Sequence, residues 1–124
     1  MRNPVIKIFA FLILLFTGLL FCSMLNAQQL KVDSLLKALK LSPDDTNKVN
    51  LLNKLYTEYQ SIVPSKALKY AKQALELSEK LGFQRGSASS YNNIGRAHFQ
   101  NGKSNDALDN YLKALEIFNE QQYE

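Results

Sequence analysis

The sequence predicts an all-α, right-handed solenoid of helix pairs, preceded by a hydrophobic signal helix. Three observations carry this. Apolar residues recur at helical spacing from Leu30 to the end of the chain. Two stretches of that pattern repeat each other about 40 residues apart. Small residues fall at matched positions in both stretches, where helices need to approach closely. Composition agrees: in 124 residues, 46% are hydrophobic and 21% charged, which suits one small folded domain. Only 5 Gly and 3 Pro argue against collagen and a loop-dominated all-β fold. A single Cys excludes a disulfide framework and a Cys-based zinc site within one chain. One His and no Trp leave little material for a metal cluster, so no metal and no cofactor is expected.

The N-terminus reads as an address. Arg2 and Lys7 precede an apolar run from Ile8 to Cys22, which is 15 residues long. As a helix it spans roughly 22 Å, short of the roughly 30 Å of a hydrocarbon core. A basic start, a short apolar run and then a small residue describe a secretory signal peptide over 1–27, cut after Ala27. Extending the run to Leu25 makes an uncleaved anchor the competing reading, and Cys22 opens a lipoprotein reading that Phe21 before it disfavours. In each case the folded part lies outside the cytoplasm and meets a membrane only through its N-terminal segment. Removing 1–27 lowers the formal charge from +4 to +2, which speaks against nucleic acid as a partner.

The mature chain is helical throughout. Leu30, Val32, Leu35, Leu36 and Leu39 outline a leading helix, which with its linker fills 28–45. Ser42-Pro43-Asp44-Asp45 breaks it, and Asp45 or Thr46 is placed to cap the next helix. That helix carries Val49, Leu52, Leu55, Tyr56 and Tyr59. Pro64 ends it or opens the third helix, with Ala67, Leu68, Ala71, Ala74, Leu75 and Leu77. Gly82 suits the left-handed position after its end. Tyr91, Ile94, Gly95 and His98 lie on one face of a fourth helix. Asn101-Gly102 makes the turn, and Ser104 is the expected cap of the fifth helix.

The two pairs align, giving units over 46–85 and 86–124. Leu52-Asn53-Lys54-Leu55 matches Tyr91-Asn92-Asn93-Ile94 at an offset of 39. Ala67-Leu68 and Ala74-Leu75 match Ala107-Leu108 and Ala114-Leu115 at an offset of 40. Alanine on the second helix of each pair, and Gly95 on the first, let backbones close up while Tyr91, Ile94 and Tyr111 fill the space beside them.

At these residues the chain resembles the tetratricopeptide repeat (TPR) family. Tyr91 stands at its large aromatic position and Ile94-Gly95 at its Leu-Gly position. Gly102 stands at its turn, Ala107 and Ala114 at its two small positions, and Tyr111 between them. His98 and Asn119 depart from the usual Tyr and Pro, and Tyr56 stands where the first unit's small residue belongs. The layout also resembles the exported N-terminal segment of bacterial TPR signalling proteins. That likeness implies an alternative: a membrane sensor, such as a histidine kinase, whose output domain follows residue 124.

The resemblance implies a peptide groove along the first helix of each pair. It puts Asn93 and Arg96 there, with Asn92 and Phe99 nearby and Asn53 and Lys54 in the first unit. An amide both donates and accepts, so Asn93 suits an extended peptide backbone; Arg96 suits a carboxylate. The packing set is Leu52, Leu55, Ala67, Ala74, Tyr91, Ile94, Gly95, Ala107, Tyr111 and Ala114. His98 reads as a packing residue, and no group near Ser89 and Ser90 completes a nucleophilic triad. On the last helix Ala107, Tyr111, Ala114 and Phe118 form an apolar stripe that Leu108, Leu112 and Leu115 widen. Either a next repeat is missing, or this edge binds a partner or a second copy. The function expected is thus protein or peptide interaction, as a periplasmic or membrane-anchored scaffold or sensing segment, with no catalysis of its own.

Overall fold

The computed structural model describes residues 3–122. Five helices are present among them and no strand: α1 (Pro4–Leu41), α2 (Thr46–Tyr59), α3 (Pro64–Lys80), α4 (Gln84–Gln100) and α5 (Ser104–Gln122). The chain divides into two units, one ending at Asp33 and one starting at Ser34.

The first unit is helix whose large apolar side chains up to Leu30 are exposed, including Ile8, Phe11, Leu14, Leu19 and Phe21, while Val32 is buried. Its most apolar 18-residue window has a mean hydropathy of 2.6, long and apolar enough to cross a membrane. The sequence suggested a separate leading helix from Leu30, but α1 is continuous from Pro4 to Leu41. The reason is local: no Gly or Pro stands between Gly18 and Pro43 to interrupt it.

The second unit holds the end of α1 and the two helix pairs. Asp45 caps α2, its carboxylate accepting from the Lys48 N–H at 3.0 Å. Pro64 occupies the first turn of α3, where a missing N–H costs nothing. The turns after α3 and α4 are built alike. Gly82 and Gly102 have φ of +63° and +73°, a conformation that side chains resist. The Phe83 and Lys103 N–H groups then reach back to the Ser78 and His98 carbonyls at 2.8 and 2.9 Å. Ser104 is the first residue of α5, one place inside the helix, and makes no side-chain cap among the described residues. The bond from Lys103 to His98 ends the turn one residue before it, which leaves Lys103 at the cap position.

Two clusters form the core. Val49, Leu52 and Ala74 bury one, with Leu39, Tyr70, Leu77 and Phe83 packed against it. Tyr56, Ala67, Ala71, Ile94 and Ala97 bury the other, with Tyr59, Leu68 and Leu75 alongside. The second cluster joins three helices, because α4 sits in the trough between α2 and α3. Ala107 and Ala114, 1% and 4% exposed, face inward as the spacing predicts.

The pairs solve one packing problem in two ways. In the second pair the small residue is on the first helix: a Cβ on Gly95 would lie 2.9 Å from two ring carbons of Tyr111 and 3.1 Å from the Ala107 carbonyl oxygen. In the first pair the large residue is on the first helix: Tyr56 packs with Ala71, the counterpart of Tyr111. The exchange keeps total volume nearly constant, which close-packed interiors tolerate best. This is why Tyr56 stands where a Gly belongs by analogy with the second unit.

Candidate functional site

The face shared by α2 and α4 is assembled by side-chain hydrogen bonds. Residues 92, 93, 96 and 99 follow helical spacing, so one stripe of α4 carries Asn92, Asn93, Arg96 and Phe99. The Asn93 amide donates to Asn53 Oδ1 at 2.9 Å, and Asn53 Nδ2 donates to Ser90 Oγ at 3.2 Å. Ser90 in turn donates to the Gly86 carbonyl at 2.9 Å. Asn53 Oδ1 is also within reach of the Ser90 hydroxyl at 3.3 Å, and this network fixes the rotamers of Asn53 and Asn93 and ties the helices in register.

Each groove candidate is thereby placed. Asn53 and Asn93 are brought together and half-buried, and part of their capacity is spent on each other. Asn92 is half-buried, and its amide makes no hydrogen bond among the described residues. Lys54, Arg96 and Phe99 are exposed, Phe99 at 65%. Beneath Arg96 lies Tyr56, whose hydroxyl is buried without a hydrogen-bond partner among the described residues. Burial pushes its phenol above the usual value, while the Arg96 charge pulls the other way. The surface therefore offers free amide groups, a guanidinium and an aromatic ring, which is chemistry for holding a peptide. Ser90 is buried with the Gly86 carbonyl and Asn53 Oδ1 as acceptors for its hydroxyl, and His98 is half-buried about two turns further along α4. Among the described residues no cluster of His, Cys, Asp and Glu could hold a metal.

Leu52, Leu55, Ala67, Ala74, Ile94, Ala107 and Ala114 are buried, and Tyr91 and Tyr111 are half-buried. Tyr91 leans on the preceding pair, its hydroxyl donating to Glu79 at 2.8 Å. That bond and burial both raise the Tyr91 phenol, burial contributing more.

Three contacts were not read from sequence. Ser78 and Ser87, both buried, share a hydrogen bond of 2.9 Å between α3 and α4. Gly86 has no room for a side chain, since a Cβ would press on the Phe83 ring and lie 2.8 Å from Val49 Cγ1. Ser90 completes the network with Asn53. The available signal was the small residues Gly86, Ser87 and Ser90 along the start of α4, a stripe that marks close helix contact.

A separate cleft of about 470 Å³ lies between the end of α1, α2 and α3, lined by Leu39, Leu52 and Leu77 with Lys40, Lys48, Lys80, Asp44 and Glu76 at its rim. Lys48 bonds Asp44 at 2.7 Å and is the main reason the Asp44 carboxyl titrates below its ordinary value. It contains none of the residues of the α2–α4 face.

A search of curated proteins returns no match. Residues 64–120, which cover α3, α4 and nearly all of α5, match the family model of the tetratricopeptide repeat. With paired helices, matched small residues and inward-facing Ala107 and Ala114, residues 64–120 of this chain carry the tetratricopeptide repeat.

Proposed function

We propose that the chain is an exported interaction module that binds an extended peptide along the α2–α4 face and performs no catalysis. Tetratricopeptide repeats serve protein–protein interaction, and the finer reading rests on one stripe of α4. Arg96 and Phe99 stand exposed there beside the unbonded amide of Asn92. The guanidinium takes a carboxylate of the peptide, the ring covers an apolar side chain, and Asn92 and Asn93 meet its backbone. Lys54 on α2 extends the positive charge, so the peptide is acidic.

The test is titration of the full chain, in mild detergent, with a fluorescent acidic peptide of eight residues. Arg96→Ala is expected to weaken binding about tenfold or more, as a charge-assisted hydrogen bond is worth about 1.5–3 kcal/mol. Asn92→Ala has a smaller effect in the same direction. Equal affinity in all three proteins removes the groove.

Export rests on the basic, apolar, then small pattern of residues 1–27. Sequencing of the protein recovered from bacterial cells is expected to find Gln28 as the first residue. A chain that starts at Met1 in the membrane fraction makes α1 an anchor instead, and one that starts at Met1 in the cytosol overturns export.

A further inference from the structure

Each helix pair forms a notch with the end of the helix before it, and the two notches are built from equivalent positions. The offset of 39 that carries Leu52 onto Tyr91 also carries Leu41 onto Lys80, the last residues of α1 and α3. Lys40 therefore corresponds to Glu79, and on the second helices Leu77 corresponds to Ile117. Lys40, Leu52 and Leu77 line the cleft of about 470 Å³ described above. Glu79, Tyr91 and Ile117 line a smaller one of about 310 Å³.

The second notch is plugged from within. Tyr91 stands half-buried in its wall, its hydroxyl donating to Glu79 at 2.8 Å and the Lys113 ammonium 5.4 Å from its ring centre. All three groups differ in the first notch. Leu52, shorter than tyrosine and with no polar end, replaces the ring; Lys40 replaces Glu79; Gln73 replaces Lys113. The space a ring takes is left open, and the group that met its polar end has reversed its charge. Among the described residues neither Lys40 nor Lys80 at the rim makes a hydrogen bond or ion pair, whereas Lys48 is held by Asp44 at 2.7 Å.

We propose that the cleft between the end of α1, α2 and α3 binds a small aromatic carboxylate, its ring taking the place of the Tyr91 ring and its acid group meeting Lys40. The ring is required because the walls there are Leu39, Leu52 and Leu77, with no side chain to fill the space between them. The acid is required by the exchange of Glu79 for Lys40: a carboxylate accepts from a phenol hydroxyl, and an ammonium donates to a carboxylate. Lys80 adds to the positive charge, and Glu76 is the rim acid that no lysine holds among the described residues. The volume lies in the range of small-molecule sites. No residue of the α2–α4 face takes part, so the inference does not depend on the peptide groove or on export.

The probe is phenylacetate, titrated into the isotopically labelled full chain in mild detergent and followed by NMR. Saturable shifts at Lys40, Leu52 and Gln73 are expected, with a Kd of about 1 mM or below. Lys40→Ala is expected to weaken binding about fivefold or more. Gln73→Lys is expected to tighten it about threefold, by setting a cation beside the ring as Lys113 is set beside Tyr91. Leu52→Tyr is expected to abolish binding, because its ring plugs the cleft from within. If that buried substitution disturbs the fold, the other two decide, since Lys40 and Gln73 are both exposed. Propionate, an acid without a ring, and benzyl alcohol, a ring without charge, are expected to bind far more weakly; equal binding of either overturns the proposal. Acetyl-alanyl-phenylalanine carries the same ring and acid at a peptide end. Weaker binding than phenylacetate supports a free acid as the ligand, and tighter binding overturns it in favour of a peptide terminus. Absence of saturable shifts at the cleft overturns the proposal, as does binding that Lys40→Ala and Gln73→Lys both leave unchanged.

Discussion

Placing tyrosine at Gly95 is expected to unfold the second helix pair, and changing Tyr111→Ala in the same chain is expected to restore it. The space beside Gly95 is already filled: an added Cβ alone would sit 2.9 Å from the Tyr111 ring and 3.1 Å from a backbone carbonyl. Overpacking by a few methyl groups costs about 1–3 kcal/mol, and a whole phenol ring exceeds the about 5 kcal/mol at the lower end of domain stability. Gly95→Ala itself is a balance. It gains about 1 kcal/mol of helix propensity against a clash that the Ala107 carbonyl cannot relieve, so a net loss of about 1 kcal/mol is expected. The first pair shows why the double variant should recover, because Tyr56 over Ala71 is the same exchange made by the natural chain. Urea unfolding of the four proteins, followed by circular dichroism, gives the coupling between the two sites. A coupling above about 2 kcal/mol is expected. Simple additivity would falsify the idea that the pairs trade bulk between equivalent positions.

Tyr56 is the second sensitive position, and its two obvious replacements should behave oppositely. Its ring is fully buried between α2, α3 and α4, so Tyr56→Ala removes the piece that holds three helices together. A loss of about 3–5 kcal/mol follows from the cavity left behind, which in so short an array approaches the whole stability. Its hydroxyl, by contrast, has no hydrogen-bond partner among the described residues. Removing an uncompensated polar group lowers a desolvation cost, so Tyr56→Phe should be neutral or stabilising by up to about 1 kcal/mol. A destabilisation of more than about 1 kcal/mol on losing the hydroxyl alone shows instead that it has a partner in solution.

Helix pattern, turns and small residues were legible because their causes are local. Gly82 and Gly102 take positive φ where the chain reverses, Asp45 caps α2, and Ala107 and Ala114 turn inward. Each follows from the 3.6-residue period or from the conformational range of one residue type. The groove residues were legible as a stripe on α4 but not as a network. That Asn93 spends a donor on Asn53, 40 residues before it in the chain, while Asn92 spends none depends on the register between two helices. The extent of α1 was misjudged for a related reason, since a change from apolar to polar composition near Ala27 does not by itself stop a helix.

The order of residues thus determined by itself that this chain forms helix pairs, where each turns, and which stripes are apolar, because backbone geometry acts over a few neighbours. Only the packed structure decided which tyrosine fills which gap, which asparagine stays unbonded, and which leucines, Leu108 and Leu115, are left facing solvent. Those outcomes depend on volumes and hydrogen-bond partners supplied by other helices, and helical periodicity carries no record of its neighbours.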